Sequence, residues 1–305
     1  MIENKIDVLR KKLIKYKLDG YIVTHNDEFF NESIPDCNKR LEWLTSFDGS
    51  AGTCLILIDK AYLFVDGRYT TQAKLQVDNK IYEIVHLNKN NFYHVLKNFN
   101  KNLNIGFDPK LHSVFNIKFI KNQLIDTEVK LIPISNNLID LIWKEKPQIN
   151  YNKIENYSAE YSGKSSNEKI NLVCKFLNKN SSDSIIITDC ESISWLLNIR
   201  GSDLEFTPIA FVYLVVSIDK KISLFTNSDY NPDLEKDLEG QLIVNSIKDF
   251  YPYIEKLGKN KKTVIIDDKT CSYHILELLK KNNTNVIKKN NPCLYYKACK
   301  NKIEI

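Results

Sequence analysis

Residues 40–72 read RLEWLTSFDGSAGTCLILIDKAYLFVDGRYTTQ and hold, in one segment, a helix end, a small-residue loop, a strand hairpin and an Asp-Gly-Arg-Tyr turn. Gly49 and Gly52 flank Ser50 and Ala51, so four consecutive residues carry almost no side chain. Such a backbone is free to take positive φ or to lie close to another surface. Thr53 to Ile58 is a short apolar run, Asp59-Lys60 supplies a turn and Ala61 to Val65 is a second run, which together predict a hairpin. Its exit places Asp66, Gly67 and Arg68 at a strand end. Arg68 has two readings: it caps a surface carboxylate, or its planar five-donor fork meets a carboxylate or carbonyl of a ligand or partner. A phosphate loop is excluded, because SAGT lacks the Lys-Ser/Thr ending and opens a strand instead of a helix.

At 305 residues and 43% hydrophobic, the chain is long enough for about two domains, each with its own core. The net charge of +5 comes from 43 basic and 38 acidic residues. A pI of 8.6 falls short of a nucleic-acid binder's footprint. The lysines are scattered, and the cluster of Lys280, Lys281, Lys288 and Lys289 reads as a solvated face. Seven cysteines, odd in number and without a Cys-x-x-Cys pair, point to a reducing compartment. Cys54 and Cys190 border apolar runs and read as small core residues. The first twenty residues place Ile6, Leu9, Leu13 and Tyr16 at helical spacing and end at Gly20 in the manner of a capped helix. They form neither a signal peptide nor a membrane span, and no other apolar stretch reaches membrane length. A soluble, cytoplasmic protein with no nucleic-acid or membrane partner is expected.

The chain contains an internal repeat. Trp43-Leu44 precedes Phe47 and Gly49, and Trp195-Leu196 precedes Ile199 and Gly201, at the same spacing. A strand-like run precedes each (Tyr21 to Thr24, Ile185 to Thr188) and a hairpin follows each, the second made of Ile209 to Ser217 and Ile222 to Phe225 around Asp219-Lys220-Lys221. Later, Ile105 to Asp108 and Val264 to Asp267 both lead into a helical segment with a serine five positions after the aspartate. The fold class is therefore α/β: two copies of one unit, 1–145 and 151–290, each a mixed sheet flanked by helices. Residues 147–157 form the joint. Trp43 and Trp195 read as core anchors, with ligand stacking as the alternative.

Catalytic chemistry is missing from these motifs. His25, His86, His94, His112 and His274 are dispersed, with no His-x-x-x-His or His-Glu-x-x-His pair, and no Gly-x-Ser-x-Gly elbow occurs. His25 with Asn26, Asp27 and Glu28, and Asp203 with Glu205, read as loop carboxylate groups first and metal sites second. No catalytic or metal residue is assigned.

In order and spacing, RLEWLTSFDGSAGT, DGRYTTQA, IGFDP, NNLIDLIWKEKP and SISWLLNIRGSDLEFTPIAFVYLVV resemble the two N-terminal domains of aminopeptidase P (Xaa-Pro aminopeptidase), in the creatinase and prolidase superfamily. The resemblance spans nearly the whole chain. It implies two tandem creatinase-N-terminal-like domains of an exopeptidase that removes an N-terminal residue preceding proline, usually as a homodimer. It also implies two manganese ions, held in a C-terminal domain that this chain does not include, so that this chain alone has no cofactor and is inactive. Residues 291–305 would begin the linker to that domain. Arg68 would bind substrate, holding a carbonyl or carboxylate of the peptide beyond the proline.

Two departures from the family pattern stand out. Thr45-Ser46-Phe47 replaces the common Ser-Gly-Phe, losing that glycine's freedom, and Cys190 to Trp195 replaces Leu-Asp-Glu-Ile-Ala-Trp. The competing reading is a non-catalytic peptide- or protein-binding module, by analogy with histone-chaperone proteins of related fold. A creatinase or prolidase relative, with a single N-terminal domain, fits the duplicated unit poorly.

Overall fold

The structure is a computed structural model describing residues 4–87, 91–99, 101–234, 238, 240–259 and 262–305. The chain forms two compact units, Met1–Glu28 with Glu32–Ile149, and Phe29–Asn31 with Asn150–Ile305. In the first, strands β1 (Gly20–Thr24), β2 (Thr53–Leu57), β3 (Ala61–Val65), β4 (Glu83–His86), β5 (Leu103–Phe107) and β6 (Val129–Pro133) make one sheet in the order β4-β3-β2-β1-β5-β6. The hairpin strand β2 runs antiparallel to both β1 and β3, and the other neighbours are parallel.

The second unit opens with β7 (Glu155–Asn156), which pairs antiparallel with β9 (Ile199–Arg200). Its main sheet joins β8 (Ser184–Ile187), β10 (Tyr213–Ser217), β11 (Ile222–Phe225), β12 (Leu242–Asn245), β13 (Thr263–Ile266) and β14 (Asn285–Lys288) in the order β12-β11-β10-β8-β13-β14. Strand for strand, the order and directions repeat those of the first unit. The fold is thus two tandem mixed α/β sheets flanked by helices. Their central strands are buried along their length, as the unbroken apolar runs demand.

The helices before each sheet form for local reasons. Lys5–Lys15 buries Ile6, Leu9 and Leu13 and is capped by Asn4. Ser166–Lys179 buries Ile170, Val173 and Leu177 and starts with a capping box between Ser165 and Glu168. The serines expected after β5 and β13 are N-caps: Ser113 accepts from Asn116 N, and Ser272 from Ile275 N.

Four expectations need correction. Gly20 does not cap the first helix, which ends at Lys15 and reverses through Lys17 at φ 56°. Gly20 opens β1, where a Cβ would lie 2.7 Å from Leu57 and 2.8 Å from the Ile56 carbonyl. The strand expected from Ile209 starts only at Tyr213, because Phe211 N donates to Asp203 Oδ2 at 2.7 Å instead of to a strand. The glycine-like backbone is kept at Ser46, which ends the helix Arg40–Thr45 at φ 66°. Residues 291–305 belong to the second unit: the helix Pro292–Ala298, capped by Asn291, buries Cys293 completely, and Asn301 Nδ2 donates to Ser162 O at 2.9 Å.

Candidate functional site

The Arg68 turn follows directly from the end of β3. Asp66 Oδ1 accepts from Arg68 N at 2.9 Å, which closes an Asx turn. The same carboxylate takes Arg68 Nη2 at 2.7 Å and Nε at 3.2 Å. Gly67 allows the turn to pass His86, whose Nε2 a Cβ would meet at 3.3 Å. The guanidinium lies 5.1 Å over the Tyr69 ring, and Tyr69 Oη bonds Ser50 Oγ at 2.6 Å, tying the turn to the small-residue loop. Even so, the Arg68 side chain is 66% exposed. Hydrogen bonding to Arg68 pulls the Asp66 carboxyl below its ordinary range, and the bond to Asp66 raises Arg68. Arg68 thus pairs with a carboxylate, as the capping reading expects, while most of its side chain stays exposed.

The small residues around Gly49 answer to close packing. A Cβ on Gly49 would overlap the Phe47 ring, and one on Gly52 would lie 3.0 Å from Leu41. Neither glycine has positive φ.

Behind this loop lies a charged group that the motifs did not single out. Arg40 is 2% exposed; its Nε donates to Asp140 Oδ1 at 2.8 Å, and its Nη2 to Asp140 Oδ2 at 3.0 Å and Glu28 Oε1 at 2.9 Å. Lys146 Nζ closes on Asp140 Oδ2 at 2.9 Å. Burial by itself lowers the Arg40 guanidinium, but Glu28 and Asp140 outweigh it and leave Arg40 raised. Burial likewise raises Asp140, and Arg40 and Lys146 overcome it to leave that carboxyl lowered. One signal was in the sequence: Arg40 shares its helix face with the buried Leu44, so the face that packs inward carries a cation.

Beside the network, Asp108 is pushed up to about 6 by burial, despite bonds from Lys110 N at 2.9 Å and Asn137 Nδ2 at 2.9 Å. The second unit repeats the device at Asp267, which accepts from Lys269 N at 3.0 Å and Asn291 N at 2.7 Å. These groups anchor loops. His112 is buried, bonds Asn116 Oδ1 through Nδ1 at 3.2 Å, leaves Nε2 without a partner and is lowered to about 4 by burial.

The remaining candidates are structural in their contacts. Glu28 joins Arg40, and Asp203 accepts from Asn152 N at 2.6 Å and Phe211 N at 2.7 Å. Cys54 and Cys190 are fully buried, and none of the seven cysteines forms a disulfide. Among the described residues, no three of His, Cys, Asp and Glu gather where they could hold a metal ion. No described helix is long and apolar enough to cross a membrane. Trp43 and Trp195 are half-buried, and each lines a surface cavity of its own unit as well as packing inward.

Models of the creatinase/prolidase N-terminal domain match residues 5–142 and residues 145–304. The chain is 29% identical over 310 residues to the probable Xaa-Pro aminopeptidase P of Laccaria bicolor, covering 97% of this chain and 47% of that protein. To the Xaa-Pro aminopeptidase ApepP of Drosophila melanogaster it is 32% identical, covering 94% of this chain and 48% of that one. It spans about half the length of these relatives. The fold matches the crystal structure of X-prolyl aminopeptidase from Caenorhabditis elegans, described as a cytosolic enzyme with a di-nuclear active site. The TM-score is 0.89 at 23% identity, with 99% of this chain and 52% of that one covered. With family models over both units, the chain belongs to the creatinase/prolidase N-terminal domain family and carries two such domains in tandem.

Proposed function

We propose that this chain is the two-domain N-terminal portion of a metal-dependent Xaa-Pro aminopeptidase, and that Arg68 binds the peptide substrate. The observation that carries the role of Arg68 is its geometry: a fork held by Asp66 on a rigid turn and yet 66% exposed. Asp66 takes Nε and Nη2, so the guanidinium is oriented before any ligand arrives and Nη1 remains to donate to a peptide carbonyl or carboxylate. Pre-orientation lowers the entropic cost of that contact. The described residues do not fit a metal centre, so this reading assigns the two manganese ions and the hydrolytic step to sequence beyond this chain. It places the protein in the cytoplasm as a homodimer, with the two domains shaping the substrate entrance and the dimer contact. The names of the relatives support the aminopeptidase assignment, and the absence of disulfides among the cysteines supports a reducing compartment.

The test is release of the first residue from an Arg-Pro-Pro peptide with manganese present. The 305-residue chain should release none, and the same chain expressed with the coding sequence that follows codon 305 should be active. In that longer enzyme, Arg68→Ala should raise KM about tenfold with kcat little changed, since one charge-assisted hydrogen bond is lost away from the chemistry. Activity of the 305-residue chain would overturn the division of labour, and an unchanged KM would overturn the role of Arg68.

A further inference from the structure

The cavity against Trp195 in the second unit has a volume of about 280 Å³. The helix Cys190–Leu196 contributes Ser194 and Trp195 to it, and Lys297 and Lys300 line it from the last residues of the chain. Two of its cations, Arg200 and Lys300, pair with no carboxylate among the described residues. Arg200 is half-buried; its Nη1 donates only to the carbonyls of Ile199 at 2.8 Å and Ser194 at 3.4 Å, and its guanidinium lies 4.1 Å over the Tyr157 ring. No carboxylate among the described residues pairs with it. Lys300 donates only to the Lys297 carbonyl, at 2.8 Å. The acids of the lining are held by other partners: Glu191 pairs with Lys297, within the lining, at 2.8 Å, and Glu304 accepts from Asn301 N at 3.0 Å. Ser194, only 4% exposed, has a buried hydroxyl with no hydrogen-bond partner.

A buried hydroxyl without a partner and a desolvated guanidinium without an anion each cost free energy in the unliganded protein. Burial accordingly holds Arg200 below its ordinary value. A carboxylate would satisfy both groups, since one oxygen can accept from the guanidinium and the other from the hydroxyl. The indole of Trp195 adds an apolar wall. The fold does not impose such a lining: beside Trp43 in the first unit, a cavity of about 520 Å³ sets Asp36, Glu42 and Asp48 against Lys39, with the opposite sign. We propose that the Trp195 cavity is a carboxylate-binding site, in which Arg200 and Lys300 supply the charge and Ser194 orients the bound group.

The carboxylate can come from the free C-terminus of a peptide or from an acidic side chain. Calorimetry and tryptophan fluorescence on the whole 305-residue chain separate the two with three probes: N-acetylphenylalanine, its amide, and N-acetyl-Gly-Glu-Gly-amide. One of the two acids should bind saturably, and the neutral amide at least about tenfold more weakly; which acid binds identifies the source. Lys300→Glu, on an exposed residue, should weaken binding about tenfold and leave the unfolding midpoint unchanged. Arg200→Lys should fall between the parent and Arg200→Ala, because an ammonium keeps the charge but not the fork. Should Arg200→Ala not fold, Lys300→Glu and Arg200→Lys carry the test. Binding of neither acid, equal binding of the amide, or no effect of Lys300→Glu and Arg200→Lys would overturn the proposal.

Discussion

The ammonium of Lys169 lies 4.6 Å over the ring of Trp195 and donates to the carbonyl oxygen of that same residue at 2.8 Å. The first unit makes the same contact with Lys5, 4.7 Å over the Trp43 ring and 2.6 Å from its carbonyl. In both units a lysine of the helix before the sheet clamps the tryptophan helix by its face and by its last turn. The two clamps differ in burial, since Lys169 is 1% exposed and Lys5 lies on the surface. Lys169 also donates to Asn198 Oδ1 at 2.5 Å. Lys169→Met should therefore destabilise the protein by about 1–3 kcal/mol, leaving two acceptors short of a donor. Lys5→Met should change it by less than about 0.5 kcal/mol. Urea unfolding of both variants tests the contrast.

Ser46 occupies a left-handed backbone position at φ 66° that glycine adopts without strain. Ser46→Gly should stabilise the protein by about 0.5–1 kcal/mol, and Ser46→Val should destabilise it, because a β-branched side chain fits that region worst. Equal melting temperatures for the three would show that the loop relaxes.

Removing Arg40 takes a buried cation from Glu28 and leaves Asp140 its ion pair with Lys146. Arg40→Leu should destabilise the fold by about 3–5 kcal/mol at pH 7, as breaking one side of a buried ion pair does. The folded carboxyl of Asp140 sits below its unfolded value of 3.8, so its contribution is present above pH 3.8 and lost as the pH falls through the depressed folded value. The gap between parent and variant should accordingly narrow in acid, which unfolding curves at pH 7 and pH 3 would show.

His112 and Asp108 pull the pH dependence in opposite directions. Unfolded His112 protonates below 6.5 and the folded one only near 4, so its contribution is lost as the pH falls from 6.5 to 4. Unfolded Asp108 ionises near 3.8 and the folded one near 6, so its contribution is lost as the pH rises from 3.8 to 6. Each is worth on the order of 3 kcal/mol over its window. Relative to the parent, His112→Phe should gain stability from pH 7 to pH 4, and Asp108→Asn should gain it from pH 4 to pH 6. Denaturant midpoints at pH 4, 5, 6 and 7 read both slopes.

Arg68→Ala should leave the melting temperature of this chain unchanged, because the side chain is exposed and its ion pair with Asp66 is local. A drop in melting temperature together with unchanged peptide kinetics in the longer enzyme would make Arg68 a structural residue only.

The sequence by itself determined whatever depends on neighbours a few positions apart. The hairpin of residues 53–65, the helix-capping serines at Ser113 and Ser272 and the repetition of Trp43 at Trp195 are all local patterns, so they are legible from apolar runs, turn residues and spacing. Long-range partnership was left to the tertiary structure. Arg40 meets Glu28 across 12 positions and Asp140 across 100, and the lining of the Trp195 cavity joins Ser194 and Arg200 to Lys297 and Lys300. Spacing carries no record of such pairs. A charge becomes a network, and a hydroxyl becomes an unsatisfied donor, only when folding removes water and decides which partner stands in its place.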